Sequence, residues 1–129
     1  MKPETLPPTF DSLLKLAQHL RSPAGCPWDR EQTLATLKDD LQEEVQEIFQ
    51  AIDKQDAANL QEELGDTLFC LALLTAVAME DNQVTPVAIF SNCIKKITDR
   101  HSWVFGQDTA GSAQEAIALW KKNKSHEKK

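Results

Sequence analysis

Leu41-Gln-Glu-Glu-Val-Gln-Glu47 and Leu60-Gln-Glu-Glu-Leu-Gly-Asp66 are two copies of one heptapeptide set 19 residues apart, with four positions identical and two conservative. Each copy carries a pair of carboxylates three residues apart, Glu44 with Glu47 and Glu63 with Asp66, beside apolar residues at helical spacing. At about 100° per residue, Glu44 lies about 60° from Leu41 and Glu47 about 120°, at the border of the apolar stripe. Glu63 and Asp66 stand in the same relation to Leu60. Between the copies, Asp53-Lys-Gln-Asp56 reads as a tight turn, with Asp56 able to cap the helix that follows. Glu44 and Asp66 are equidistant from Gln55, and so are Glu47 and Glu63. Two antiparallel helices folded about Gln55 therefore bring four carboxylates within about two helical turns of one another.

The rest of the chain reads as helical around that hairpin. Its 129 residues are enough for one ordinary domain, and Tyr is absent. Beyond Pro27 there are only one Pro and three Gly, too few turn residues for a many-stranded sheet. Apolar spacing predicts helices over 10–20, from about Arg30 to Lys54 behind an Asp29/Gln32 cap, and from Asp56 to about Glu80. Further helices are predicted from the Thr85-Pro86 cap to about Arg100, with Ile89, Phe90, Cys93, Ile94 and Ile97 inward, and from the Ser112/Glu115 capping box to about Lys122. The expected fold is all-α: a helical bundle built on the antiparallel hairpin, with a flexible N-terminus over 1–9, one domain over 10–124 and a disordered tail over 125–129. Phe69, Leu73, Ala76 and Val77 lie opposite Leu64, Leu68, Leu71 and Ala78, so the third long helix is apolar all round. That pattern predicts a homo-oligomer, a homodimer or tetramer.

Charge and cysteine usage narrow the function. Fourteen Lys and Arg against twenty Asp and Glu leave a formal charge of −6, which disfavours binding of a nucleic-acid duplex. The nearly apolar run from Thr67 to Met79 is shorter than the roughly 20 residues that span a bilayer, so no membrane association is expected. Cys26, Cys70 and Cys93 form no CxxC pair and follow no leader-like segment, which reads as a cytoplasmic protein with packing cysteines.

Four like charges in one place need a positive partner. All-oxygen ligands without His or Cys suit a hard divalent ion, Mg²⁺ first and Mn²⁺ second, with Glu44, Glu47, Glu63 and Asp66 as ligands. A ferritin-like di-iron site would need Glu-x-x-His pairs, and neither copy has a His in place. Gly65, the only glycine in either helix, suggests close approach of a backbone or a ligand. Lys96 and Arg100, four residues apart, could grip a phosphate chain from the other side. Trp120 and Lys124 repeat that spacing, and Trp28 is a base-stacking platform or a loop anchor. His19, His101 and His126 are too scattered for a metal site.

Taken together, Gly25-Cys-Pro-Trp-Asp-Arg-Glu-Gln-Thr33, the EExxE over 43–47, the ExxD over 63–66 and Arg100-His-Ser-Trp-Val-Phe-Gly106 resemble the MazG-type nucleoside triphosphate pyrophosphohydrolases of the all-α NTP pyrophosphatase superfamily. The similarity runs from about Phe10 to Lys124. It implies hydrolysis of a nucleoside triphosphate between the α and β phosphates, with Mg²⁺ on Glu44, Glu47, Glu63 and Asp66. It further implies phosphate contacts from Lys96 and Arg100, closure of Trp120 and Lys124 over the nucleotide, and assembly as dimers or larger oligomers. Glu43 or Glu44 would orient or deprotonate the attacking water. Two departures stand out: Leu34 follows Gln-Thr where many relatives carry His, and Ser102-Trp103 stands where many read Pro-His. A helical module that binds a nucleotide or a protein without catalysis is the alternative reading of the same residues.

Overall fold

The computed structural model describes residues 1–127, and among them there is no strand. After a 3₁₀ turn at Pro3–Thr5 the helices are α1 (Phe10–Leu20), α2 (Pro27–Glu31), α3 (Leu34–Asp53), α4 (Ala57–Glu80), α5 (Pro86–Arg100), α6 (Ser102–Phe105) and α7 (Ala113–Glu127). They fall into two compact units, Met1–Val84 and a second from Thr85 onward.

In the first unit α4 packs against both α1 and α3. The core joins Leu14 and Ala17 of α1, Leu37 of α3, and Ala72, Leu73, Ala76 and Val77 of α4. Ala17 and Ala72 are wholly buried, and such small side chains let helix backbones approach closely. Leu37, 2% exposed, is the largest fully buried side chain, and its burial contributes about 2 kcal/mol. The buried side of α4 is the Leu73, Ala76 and Val77 face, whereas Leu64, Leu68 and Leu71 are exposed.

The link between α3 and α4 is as short as the sequence suggests. The Asp56 N–H donates to the Ala51 carbonyl and the Gln55 N–H to the Ile52 carbonyl, while the Asp56 carboxylate accepts from the Asn59 N–H. Asp56 thus closes one helix and caps the next. Gln55 holds the left-handed conformation at φ 54°, a place where glycine is the usual choice. Asn82 does the same beyond α4 at φ 56°.

Several predicted boundaries move. The helix expected to open at Arg30 behind Asp29 is two helices. Pro27 supplies the first turn of α2, and α3 starts at Leu34 behind a reciprocal Thr33/Thr36 capping box. Gly25 sits in the loop before α2, where a Cβ would lie 2.2 Å from the Leu20 carbonyl oxygen, so no larger residue fits that crossing. The predicted flexible segment 1–9 contains the 3₁₀ turn and the Thr9 side-chain cap of α1.

In the second unit α5 packs against α6 and α7. The Thr85 cap forms as predicted, accepting from the Ala88 N–H, and Ser112 accepts from the Glu115 N–H, while the Glu115 carboxylate accepts from the Gly111 N–H in place of the reciprocal bond of the predicted box. The apolar stripe of α5 departs from expectation: Ile89, Phe90, Cys93, Ile94 and Ile97 are exposed, and no residue of α5 is buried. Its own unit offers as cover only the single-turn α6 and a largely polar α7. The last helix also passes its predicted end at Lys122, so Ser125 to Glu127 of the predicted disordered tail are helical. Residues 128–129 of that tail lie outside the described residues.

Candidate metal centre and its surroundings

Glu44 and Glu47 come from α3, Glu63 and Asp66 from α4. Each offers one carboxylate oxygen, and these four atoms all lie within 4.8 Å of one another. The duplicated heptapeptide, the short link and the packing of α3 on α4 together produce this convergence. Burial within the group is uneven: Glu63 is buried, Glu44 half-buried, and Glu47 and Asp66 are exposed.

The electrostatics record the crowding. The Glu63 carboxyl is pushed up to about 7, chiefly by sharing a proton with Glu47, then by burial and by the charges of Glu47, Asp66 and Glu44. Glu44 is raised as well, by burial first and then by the charges of Glu47 and Asp66. One oxygen of Glu44 and one of Glu63 are buried with no hydrogen-bond partner. Such atoms are rare in folded proteins because leaving them unsatisfied is costly. A cation meets both conditions at once: it offsets the repulsion and gives the unpaired oxygens a partner. Oxygen-only donors that include carboxylates from two helices fit a hard divalent ion.

A cavity of about 540 Å³ opens beside these acids, sharing Glu44 and Asp66 with them. Glu43 is exposed and stands on its wall, outside the group of four. Trp28 of α2, 70% exposed, lines the same cavity together with Phe69, Cys70 and Leu73 of α4. Arg21 fastens α2 in place: one guanidinium nitrogen donates to the carbonyls of Asp29, at 2.5 Å, and Gln32, at 3.0 Å. Its other side pairs with Glu80 and holds that carboxyl below the usual carboxylate range. Arg21 was not among the sequence candidates, because its partners are main-chain carbonyls that leave no side-chain pattern. Gly65 has nothing within 4 Å of the place its Cβ would occupy, so close approach within the chain is not its role.

The basic candidates lie in the second unit. Arg100 and Lys124 both face the Trp120 ring, at 5.3 and 5.1 Å from its centre. Arg100 also pairs with Glu127 at 2.9 Å, and the Asn123 amide donates to the Arg100 carbonyl and to the Ser102 hydroxyl. Glu127 is a partner that sequence reading missed, since it lies in the segment taken as tail. Lys96 is exposed and has no ion-pair partner among the described residues, while its neighbour Lys95 pairs with Asp99.

Comparison with known proteins agrees with this architecture. The family model described as the MazG nucleotide pyrophosphohydrolase domain matches residues 32–105. The nucleoside triphosphate pyrophosphohydrolase of Escherichia coli K12 is 37% identical over 120 residues, which are 92% of this chain and 46% of that protein. The nucleoside triphosphate pyrophosphohydrolase/pyrophosphatase MazG of Thermotoga maritima is 35% identical over 119 residues, 92% of this chain and 45% of that one. The crystal structure of a MazG-related protein from Thermotoga maritima is similar with a TM-score of 0.75 and 34% identity, covering 89% of this chain and 98% of the other. The chain spans about half the length of the curated relatives it matches. Since the matched segment holds both acidic heptapeptides and the solved fold follows nearly the whole helical course, the chain belongs to the MazG nucleotide pyrophosphohydrolase domain family.

Proposed function

We propose that this protein hydrolyses nucleoside triphosphates between the α and β phosphates, releasing a nucleoside monophosphate and pyrophosphate, and that it does so with Mg²⁺. The observation that carries this reading is the convergence of Glu44, Glu47, Glu63 and Asp66, with two buried oxygens left unpaired. Mn²⁺ is the second candidate ion for the same oxygen ligands. Bound there, the cation supplies electrostatic stabilisation of the phosphoryl oxygens during in-line attack.

The chain's own residues divide the remaining work. Glu44 is held within the acidic group, which leaves Glu43 on the cavity wall free to orient the attacking water and take its proton. Lys96 and Arg100 balance phosphate charge, with Arg100 as the planar donor and Lys96 as the point charge. Trp28 offers an exposed ring to the nucleoside, and Trp120 with Lys124 closes over the nucleotide. We read α3 and α4 as an antiparallel hairpin about Gln55, in keeping with the bond from the Cys70 thiol to the Leu37 carbonyl at 3.8 Å. The exposed Leu64, Leu68 and Leu71 of α4, with Ile94 and Ile97 of α5, suit burial against a further copy of the chain, as a homodimer or tetramer.

Pyrophosphate release from a panel of triphosphates, with Mg²⁺ and then with excess chelator, tests the reading. Release that stops in chelator is expected. Turnover that persists in chelator would remove the metal assignment, and binding without turnover of any triphosphate would return the protein to the class of nucleotide-binding modules.

A further inference from the structure

Trp120, Asn123, Lys124 and Glu127 share one face of α7, and three of them act on Arg100, the last residue of α5. The Trp120 ring centre lies 5.3 Å from the guanidinium carbon, and the Glu127 carboxylate pairs with the guanidinium at 2.9 Å. Asn123 reaches the main chain instead. Its amide donates to the Arg100 carbonyl at 3.1 Å and to the Ser102 hydroxyl at 2.8 Å. Both acceptors flank a break in the helix, because His101 between them leaves the helical conformation at ψ 54°. The carbonyls of a last helical turn lack donors from their own helix. The His101 N–H serves those of Ile97 and Thr98, whereas the donor to the Arg100 carbonyl comes from α7. Ser102 stands at one of the two departures from the family pattern, and a proline in its place would offer the amide no hydroxyl.

We propose that Asn123 is a positioning residue for Arg100, and that its double bond across the break between α5 and α6 aims the guanidinium when phosphate is bound. The inference rests on the phosphate role of Arg100 proposed above and adds a residue that serves it. A phosphate that pairs with Arg100 takes the place of Glu127, since both present charged oxygens to the same donors. The Trp120 ring then still attracts the cation, but a flat ring face fixes its direction weakly. Asn123 is the contact that continues to hold the Arg100 main chain against α7. An amide suits this work because its two hydrogens serve two acceptors at once, which the single hydrogen of a hydroxyl cannot do.

Asn123→Leu, similar in volume and without a donor, breaks the bridge. KM for the triphosphate in Mg²⁺ is expected to rise about tenfold with kcat kept within about twofold, because a misplaced substrate-holding group is costly. In an Arg100→Ala background the same substitution should change KM by less than about twofold, since nothing remains for Asn123 to position. An unchanged KM, or an equal rise in both backgrounds, would overturn the assignment, the second being what a merely structural role produces. Should Asn123→Leu fail to fold, Asn123→Ser replaces it with the same expectations. A second readout needs no turnover: the side-chain proton resonances of Arg100, which the Trp120 ring current displaces and which an Arg100→Lys variant assigns. In Glu127→Ala, which mimics the departure of that carboxylate, the displacement should persist, and adding the Asn123 substitution should at least halve it. Equal displacement with and without Asn123 rejects the bridge. If no triphosphate is hydrolysed, the proposed activity fails by itself and the resonances alone judge Asn123.

Discussion

Glu63 in the first unit and Arg100 in the second are both charged side chains largely withdrawn from water, at 8% and 11% exposure, yet their surroundings have opposite signs. Glu63 faces three further carboxylates and keeps an unpaired buried oxygen. Arg100 lies over the Trp120 ring and against the Glu127 carboxylate, so its charge is already answered. The first arrangement is tense until something positive arrives, and the second is relaxed until something negative displaces Glu127. Binding at the two places should therefore change stability in different ways.

The largest expected effect comes from relieving the tension. Glu47→Gln should lower Mg²⁺-dependent pyrophosphate release by about 100-fold or more, while raising the melting temperature of the metal-free protein. Added Mg²⁺ should reverse the order of the two melting temperatures. No shift in either condition would mean the acids are simply solvated. Lys96→Ala should cut turnover about tenfold with Mg²⁺ affinity kept within about twofold, and calorimetric loss of metal binding instead would contradict its placement on phosphate.

A pH series sharpens the contrast further. Because the folded Glu63 carboxyl is raised to about 7, the folded state binds that proton more tightly than the unfolded chain does. Its stabilising contribution is fully present below the ordinary carboxyl value and is lost as pH rises toward and through about 7. Metal-free protein should thus melt higher at pH 5 than at pH 7.5, and saturating Mg²⁺ should remove or invert that trend because proton and cation compete for the same oxygens. A metal-free melting temperature that climbs over this range would contradict the raised carboxyl.

The smallest effect concerns the relaxed cluster. Glu127→Gln removes the competing charge from Arg100, and with the Glu127 carboxylate still 30% exposed the pair is worth only about 1 kcal/mol. KM for the triphosphate should fall about threefold with kcat unchanged. A rise in KM would show that Glu127 holds Arg100 in its working position.

How much of this was legible in the sequence follows from the range of the interactions involved. The caps at Asp56, Thr85 and Ser112 are local, and each forms where the sequence puts it. The four acids were legible because duplication and a short link convert a long-range contact into a count from one residue, Gln55. Asp29 misled because Pro27 starts its own short helix, so the working cap of α3 lies at Thr33. Glu127 was invisible because a run of Lys and polar residues gives no hint of the arginine, 27 positions earlier, that anchors its end. The α5 stripe was read as inward on period alone, and a period cannot say whether a covering surface lies in the same chain.

The left-handed Gln55 has a consequence for how this protein tolerates change. Only three residues separate Asp53 from Ala57, so the link has no slack to absorb an insertion. One extra residue within α4 ahead of Glu63 would turn everything after it by about 100° and advance it by about 1.5 Å, carrying two of the four carboxylates off the seam. Lengthening is therefore better borne at the loop beyond Asn82 than at this hinge, and variants with a longer first link are expected to lose cation binding before they lose helicity.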